Sequence, residues 1–268
     1  MYGELDGLLP RVREVAERVG SFVRKEARSF QLSQVERKEE GSFVSYVDRQ
    51  AEEILVQALS ELLPGTGFLT EEKTVQNTSN REDYWTIDPL DGTFNFIHGL
   101  PPYCVNIGLV QGGNPVLCVT YELSRNECFY AIRGKGGFRN GEPIKVSEVV
   151  DFSTALIVMG FSNQARQLPE FLLLLRTLAE RGVGFRRTGS TAANLAYVAC
   201  GRVDAFLGRD MTPWDMSPGT LLVEEARGTV SNMAGEELCF EQGDFLVAGG
   251  LHSSLVEILK DISLPDDV

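Results

Sequence analysis

Histidine and cysteine are scarce in this chain of 268 residues. Only His98 and His252 occur, so a zinc site built from histidines is not expected. The five cysteines are an odd number and form no Cys-x-x-Cys pair, which favours reduced thiols packed inside the fold over a disulfide framework. Neither zinc nor disulfide chemistry is therefore the expected basis of the fold.

Long apolar runs and an excess of positive charge are also missing. No run approaches the roughly 18 apolar residues that a membrane span needs, and the start, Met-Tyr-Gly-Glu-Leu-Asp, has neither the basic nor the apolar region of a secretory signal. We therefore expect a cytoplasmic protein without a membrane partner. The formal net charge of −13 argues against nucleic acid as a partner, because polyanions bind basic surfaces.

The composition does provide for a large core, since 43% of the residues are hydrophobic and 9% are aromatic. After Val150 strands alternate with helices, which implies a mixed sheet with helices on its faces and hence an α/β fold. We predict an N-terminal half over 1–150 with a helix pair and an antiparallel sheet. The second half, 151–268, would complete the active site.

Apolar spacing and turn residues divide the chain into regular elements. Helices are predicted at 5–28, 48–63, 169–181, 190–199, 215–226 and 253–259. Strands are predicted at 67–70, 85–87, 105–111, 116–122, 127–133, 155–159, 185–187, 205–207 and 245–248.

The densest chemistry lies in the segment Asp88-Pro-Leu-Asp-Gly-Thr-Phe-Asn-Phe96. We predict that a strand ends at Asp88, that Pro89 to Gly92 form a tight turn, and that Asp91 caps a short helix over 93–97. Carboxylates bind hard cations and helix N-termini bind phosphate, so this turn offers both halves of a metal-assisted phosphoryl site. Taken alone, such a turn is more often structural.

Other segments make the interpretation specific. The segment 88–96 resembles the first motif of the inositol monophosphatase family, and Trp214-Asp-Met-Ser-Pro-Gly-Thr-Leu-Leu-Val-Glu-Glu-Ala226 resembles the second. Segments 43–48, 70–72, 187–194 and 201–205 follow the order expected for that family. The resemblance covers most of the chain and implies an α+β layered sandwich, a Mg²⁺-dependent phosphomonoesterase activity and a homodimer.

By the same resemblance, the metal ligands are the side chains of Glu71, Asp88, Asp91 and Asp215 and the carbonyl of Leu90. Two or three Mg²⁺ ions per site are implied. The chemistry agrees, because Mg²⁺ prefers octahedral oxygen ligands. Two such ions can clamp the attacking and leaving oxygens of an in-line displacement.

Catalysis is assigned to Glu71 and Thr93, whose carboxylate and hydroxyl would together activate a water as a general base does. The predicted substrate-binding residues are Gly92, Thr93, Gly189, Thr191 and Asp215. The resemblance also places Lys38 on the phosphate side and Asp48 behind the metal ligands.

One departure from the family bears on the substrate. Many members carry a Glu six residues before the Trp of the second motif, where it binds ring hydroxyls, but this chain has Gly208. The neighbouring Arg209 would contact an anionic substrate or lie in solvent. We therefore expect a broad enzyme, and we expect Gly208→Glu to favour inositol 1-phosphate.

Several functions stay open. The leading hypothesis is hydrolysis of inositol 1-phosphate or a related polyol or sugar phosphate. Fructose 1,6-bisphosphate and histidinol phosphate are alternatives, whereas Phe94-Asn95 argues against nucleotide substrates such as 3′-phosphoadenosine 5′-phosphate. A protein that kept the fold and acts by binding is the alternative from another class.

Overall fold

The computed structural model describes residues 2–37, 43–76, 78, 82–161, 168–238 and 243–262. Its helices are α1 (Tyr2–Ala27), α2 (Tyr46–Leu62), α3 (Thr93–Ile97), α4 (Leu168–Glu180), α5 (Thr191–Ala199), α6 (Pro213–Glu225) and α7 (His252–Ile262). Its strands are β1 (Val35–Arg37), β2 (Phe43–Ser45), β3 (Gly67–Thr70), β4 (Asp83–Asp91), β5 (Cys104–Gln111), β6 (Asn114–Glu122), β7 (Glu127–Ile132), β8 (Gly137–Arg139), β9 (Glu142–Pro143), β10 (Leu156–Phe161), β11 (Gly184–Arg186), β12 (Ala205–Met211), β13 (Thr229–Ser231) and β14 (Gly243–Ala248).

The strands form two large sheets and one small one. The larger sheet has seven strands in the order β3-β4-β5-β6-β7-β8-β9. Its β3–β4 pair is parallel, and every later pair is antiparallel. The second sheet has five strands in the order β11-β10-β12-β14-β13, with parallel pairing on both sides of β10. Strands β1 and β2 form a separate antiparallel pair.

Three layers of helices separate and cover these sheets. Helices α1 and α2 lie on one face of the seven-stranded sheet, with residues such as Val12 and Leu55 packed against Ile107. Helices α5 and α6 lie between the two sheets. Helices α4 and α7 cover the far face of the five-stranded sheet. This order of layers, α/β/α/β/α, confirms the predicted layered α/β sandwich.

Amphipathic sequence explains the first layer. Leu5, Leu8, Val12, Val15 and Val19 recur at helical spacing, and all five are buried against the sheet.

Among the described residues, no helix combines the length and apolar character that crossing a membrane requires. The division of the chain into 1–150 and 151–268 stays a prediction.

The predicted turn after Asp88 is wrong. Strand β4 continues through Pro89 to Asp91, and its pairing with β5 shifts register between Asp88 and Asp91. An extra residue of this kind is a β-bulge, which bends a strand and redirects its side chains. Both carboxylates therefore belong to the strand end itself.

Candidate active site

Asp48 lies at the start of α2, where it forms a capping box with Ser45. The Ser45 hydroxyl accepts from the N–H of Val47, and the Asp48 carboxylate accepts from the Ser45 N–H at 2.8 Å. The same carboxylate accepts from the Ser45 hydroxyl at 2.6 Å. This reciprocal arrangement satisfies helix-start donors and fixes the carboxylate. Its other oxygen is free to receive the hydroxyl of Thr93, at 2.9 Å.

The end of β4 supplies two carboxylates and a carbonyl. The N–H of Leu90 donates to the Asp88 carboxylate at 3.0 Å, and the Leu90 carbonyl lies 3.1 Å from the Thr93 hydroxyl. Gly92 joins β4 to α3 with a φ of +90°, and a Cβ there would lie 3.0 Å from the carbonyl oxygen of Pro102. Only glycine fits this left-handed, crowded junction without strain.

Asp91 caps a helix that begins a hundred residues later. Its carboxylate accepts from the N–H of Thr191 at 3.1 Å, from the N–H of Ala192 at 2.8 Å and from the hydroxyl of Ser190. The negative charge also favours this position, because the positive end of the α5 dipole faces it. The prediction that Asp91 caps α3 is therefore wrong, since the residue before α3 is Gly92.

Asp215 lies in the first turn of α6. Its carboxylate accepts from the hydroxyl of Thr212 at 2.7 Å and from the Thr212 N–H at 3.2 Å, and Pro213 occupies the first helical turn. A capping box with proline at the helix start is a strong local signal for this geometry. Asn106 of β5 donates to the carbonyl of Trp214 at 2.9 Å and so ties this turn to the seven-stranded sheet.

Carboxylates from different elements meet at this point. Carboxylate oxygens of Asp88, Asp91 and Asp215 all lie within 4.8 Å of one another. Glu71 follows β3 directly, and its N–H donates to the carbonyl of Ile87 at 3.1 Å, which brings it beside Asp88. Its charge acts on all three aspartates.

Burial and mutual repulsion disfavour the ionised forms of Asp88, Asp91 and Asp215, which with Glu71 make up the carboxylate group of this site. Burial first, and then the charges of Glu71, Asp91 and Asp215, raise the pKa of Asp88 well above its ordinary value. Burial raises the pKa of Asp91 to about 6, although the hydrogen bond from Ser190 lowers it. Burial and the charge of Asp91 raise the pKa of Asp215 to about 7. A divalent cation would reverse this balance, and the oxygen-only donor set suits a hard cation.

The predicted metal-ligating residues are therefore neighbours in the structure, and Thr93 lies among them. The Thr93 hydroxyl bonds to Asp48 at 2.9 Å and to the Leu90 carbonyl at 3.1 Å, and its action on a water together with Glu71 stays a prediction. Asp48, which the resemblance places behind the metal ligands, also has a local sequence signal, because the Ser45-x-x-Asp48 capping pattern fixes it at the start of α2.

The predicted substrate residues Gly189 and Thr191 flank the start of α5. Gly189 has a φ of +87°, and a Cβ there would lie 2.8 Å from the Asn95 side chain. Asn95 donates to the carbonyls of Thr188 at 2.7 Å and Pro102 at 2.8 Å. It therefore links α3 to the segment that precedes α5. Sequence reasoning used Asn95 only as an argument against nucleotide substrates and did not predict this structural role. Lys38 lies outside the described residues.

Gly208 is buried on β12, and its neighbours on that face are large side chains. A Cβ on Gly208 would lie 2.7 Å from Phe245 and 2.9 Å from Phe206, within the core between β12 and β14. The neighbouring Arg209 donates to Asp244 at 2.8 Å. A glutamate at 208 would have to displace the rings of Phe206 and Phe245, and its reach to a substrate hydroxyl stays a prediction.

We expect Gly208→Ala to lower the free energy of unfolding by about 1–3 kcal/mol, because overpacking a core costs roughly that amount. Gly208→Glu should cost more, since it also buries a charge. Gly243→Ala in the adjacent strand is the control, because a Cβ there meets nothing within 4 Å. Denaturant unfolding gives the comparison, and an unchanged midpoint for Gly208→Ala would contradict the packing described.

The layered fold and the buried carboxylate group define an α/β protein with an acidic site suited to a hard cation. The profile of the inositol monophosphatase family matches residues 5–264, and the chain belongs to that family. It is 37% identical over 256 residues to an inositol-1-monophosphatase of Mesorhizobium japonicum, covering 94% of this chain and 96% of that one. It is also 37% identical over 239 residues to the Nus factor SuhB of Pseudomonas aeruginosa, covering 87% and 88%.

Solved structures agree with this assignment. The inositol monophosphatase of Anabaena superposes with a TM-score of 0.86 at 32% identity and covers 97% of both chains. The extragenic suppressor protein suhB of Bartonella henselae superposes with a TM-score of 0.88 at 32% identity and covers 95% of this chain and 98% of its own.

Proposed function

We propose that this protein is a Mg²⁺-dependent phosphomonoester hydrolase that acts on inositol 1-phosphate or a related polyol or sugar phosphate. The observation that carries the proposal is the meeting of Asp88, Asp91 and Asp215 within 4.8 Å, with Glu71 beside them. Family membership supports phosphatase chemistry, and a relative at 37% identity is named an inositol-1-monophosphatase. Cytoplasmic residence and a homodimer belong to the same proposal.

The ligand assignment follows from the donor set. We assign the metal to Glu71, Asp88, Asp91, Asp215 and the Leu90 carbonyl, which retains a second lone pair beside its contact with Thr93. Mg²⁺, when bound, supplies Lewis-acid stabilisation of charge on the phosphoryl oxygens and lowers the pKa of water. Two or three ions would be needed to balance so many carboxylates.

Thr93 and Asp48 supply a route for a proton. The Thr93 hydroxyl donates to Asp48 at 2.9 Å, so its lone pairs remain able to accept a proton from an attacking water. As the water oxygen bonds to phosphorus and loses that proton, Thr93 passes its own to Asp48. The bond from phosphorus to the alcohol oxygen breaks on the opposite side, and the alcohol oxygen takes a proton from solvent water as it leaves. Burial raises the pKa of Asp48, which helps it hold the proton.

The remaining assignments concern the substrate. Gly92 and Thr93 are assigned to the phosphate through their N–H groups, and Gly189, Thr191 and Asp215 to the alcohol side. Gly92 and Thr93 directly follow Asp91 at the end of β4, and Gly189 and Thr191 flank the start of α5, whose Thr191 N–H donates to Asp91. Asp215 on α6 is itself one of the clustered carboxylates. Gly208 supplies no carboxylate at the position where many family members carry one, which favours a broad substrate range.

The second candidate is a binding role. Relatives at 36–37% identity are named Nus factor SuhB, so this chain could act in the same capacity with or without hydrolysis. The intact set of Glu71, Asp88, Asp91, Thr93 and Asp215 favours hydrolysis.

Phosphate release separates these functions. The purified protein is incubated with inositol 1-phosphate, fructose 1,6-bisphosphate and histidinol phosphate, each with Mg²⁺, with Ca²⁺ or with chelator. We expect turnover with Mg²⁺ and little with Ca²⁺, because the larger ion tolerates looser geometry and would misplace the reacting groups. Equal rates with both ions would contradict the site. No turnover of any ester would favour the binding role.

A further inference from the structure

Glu52 is a fully buried carboxylate that the mechanism does not use. It lies on α2 one helical turn after Asp48. One of its oxygens accepts from the N–H of Glu72 at 2.7 Å. The other accepts from the N–H and from the hydroxyl of Thr74, both at 2.7 Å. Buried charge is tolerated when hydrogen bonds of this kind satisfy it.

These bonds hold the segment that follows Glu71. The N–H of Glu71 is fixed to the carbonyl of Ile87 on β4, and the next N–H, that of Glu72, is fixed to Glu52. The backbone on both sides of the Glu71 side chain is therefore anchored. Lys73, between the two anchored N–H groups of Glu72 and Thr74, has a φ of +55°, which non-glycine residues adopt only when their surroundings enforce it.

Asp48 and Glu52 are four residues apart on α2, so they share one helix face. Asp48 binds Thr93, and Glu52 binds the turn after Glu71. A single helix thus holds both the hydroxyl of Thr93 and the backbone that follows Glu71.

We propose that Glu52 is a positioning residue that orients Glu71 toward Asp88 and thereby sets the affinity of the site for a divalent cation. The inference rests on the proposed metal-dependent function. Groups that hold metal ligands in place typically change metal affinity by about 10–100-fold when they are altered.

Glu122 offers a matched control for a purely structural role. It is also fully buried, and it holds the β6–β7 turn through the N–H groups of Ser124 at 3.1 Å and Arg125 at 2.8 Å. These hydrogen bonds come from Ser124 and Arg125, and neither residue belongs to the carboxylate group of Glu71, Asp88, Asp91 and Asp215. A substitution there should lower stability without changing the binding of metal.

The test compares Glu52→Gln with Glu122→Gln. Glutamine keeps the size of the side chain, but its NH₂ group faces an N–H that needs an acceptor. Isothermal titration of the metal-free proteins with Mg²⁺ should show about 10-fold weaker binding for Glu52→Gln and wild-type binding for Glu122→Gln. The Mg²⁺ concentration for half-maximal phosphate release should shift in parallel, with a smaller change in kcat at saturating Mg²⁺.

Two further variants make the result decisive. Thr74→Val removes one hydrogen bond to Glu52 at a half-buried position, so it should weaken Mg²⁺ binding in the same direction but less. Glu52→Asp keeps the charge but shortens the reach, and it should not restore binding. Wild-type Mg²⁺ binding in Glu52→Asp would overturn the role of Glu52 but not the proposed function. Unchanged Mg²⁺ binding in both Glu52→Gln and Thr74→Val would do the same. A wild-type protein that binds no Mg²⁺ would overturn the proposed function as well.

Discussion

Asp88→Asn should reduce phosphate release by about a thousandfold or more at saturating Mg²⁺ while the protein remains folded. On the proposed function, the change removes one ligand charge at constant side-chain volume, and about several kcal/mol of transition-state stabilisation by the metal would depend on that charge. The contact from the Leu90 N–H is retained, because an amide oxygen also accepts it.

The same substitution should stabilise the protein without metal. Burial and the charges of Glu71, Asp91 and Asp215 raise the pKa of Asp88, so ionised Asp88 weakens the metal-free fold. Thermal unfolding with chelator at pH 8 should therefore show a higher Tm for Asp88→Asn than for wild type. Asp6→Asn is the control, since Asp6 is exposed on α1 and pairs across the surface with Lys135 at 3.3 Å. Near-wild-type turnover in Asp88→Asn would refute the assignment of the site.

The metal-free protein should lose stability as the pH rises from about 5 to 8. Asp91 and Asp215 have pKa values of about 6 and about 7 in the folded protein, above the ordinary 3.8. The folded state therefore binds more protons than the unfolded state in this window, so the free energy of unfolding falls with pH until both groups are ionised. The rise in the pKa of Asp91 from 3.8 to about 6 corresponds to about 3 kcal/mol in the free energy of unfolding. The coupling between the two groups prevents simple addition.

On the proposed function, Mg²⁺ should remove this dependence, because an ion that binds the folded site neutralises the ionised carboxylates. Scanning calorimetry across the pH range, with chelator or with Mg²⁺, gives the comparison. His252 acts in the opposite sense below pH 6.5, since burial lowers its pKa, so a His252→Gln background isolates the carboxylates. A metal-free Tm that rises between pH 6 and 8 would show that the carboxylates are not held as described.

Local patterns predicted the local elements well. Strand β3 spans the predicted residues, and α1 and α2 lie within three residues of their predicted ends, because amphipathic spacing and caps act over a few residues. The end of β4 was not predictable in this way. Its continuation through Pro89 depends on pairing with β5, and that pairing is a contact between distant segments.

The same distinction applies to the site. The resemblance identified Glu71, Asp88, Asp91 and Asp215, and the structure places them together. The role of Asp91 at the start of α5 joins residues a hundred positions apart, so no local pattern indicates it. Glu52 has the sequence context of an ordinary helix-surface charge, and only tertiary packing shows that it is buried.

The placement of α5 and α6 between the sheets has a consequence for how this chemistry can be inherited. The seven-stranded sheet supplies Asp88 and Asp91 from β4, and Glu71 from the residue after β3. The later part of the chain supplies Asp215 and the start of α5, whose N–H groups donate to Asp91. A fragment with the complete Asp88–Phe96 motif would lack the fourth carboxylate and the donors that orient the third. If the proposed reaction is under selection, that selection acts on the entire sandwich at once, and a recombination event that exchanged one sheet would have to carry a compatible α5 and α6 with it.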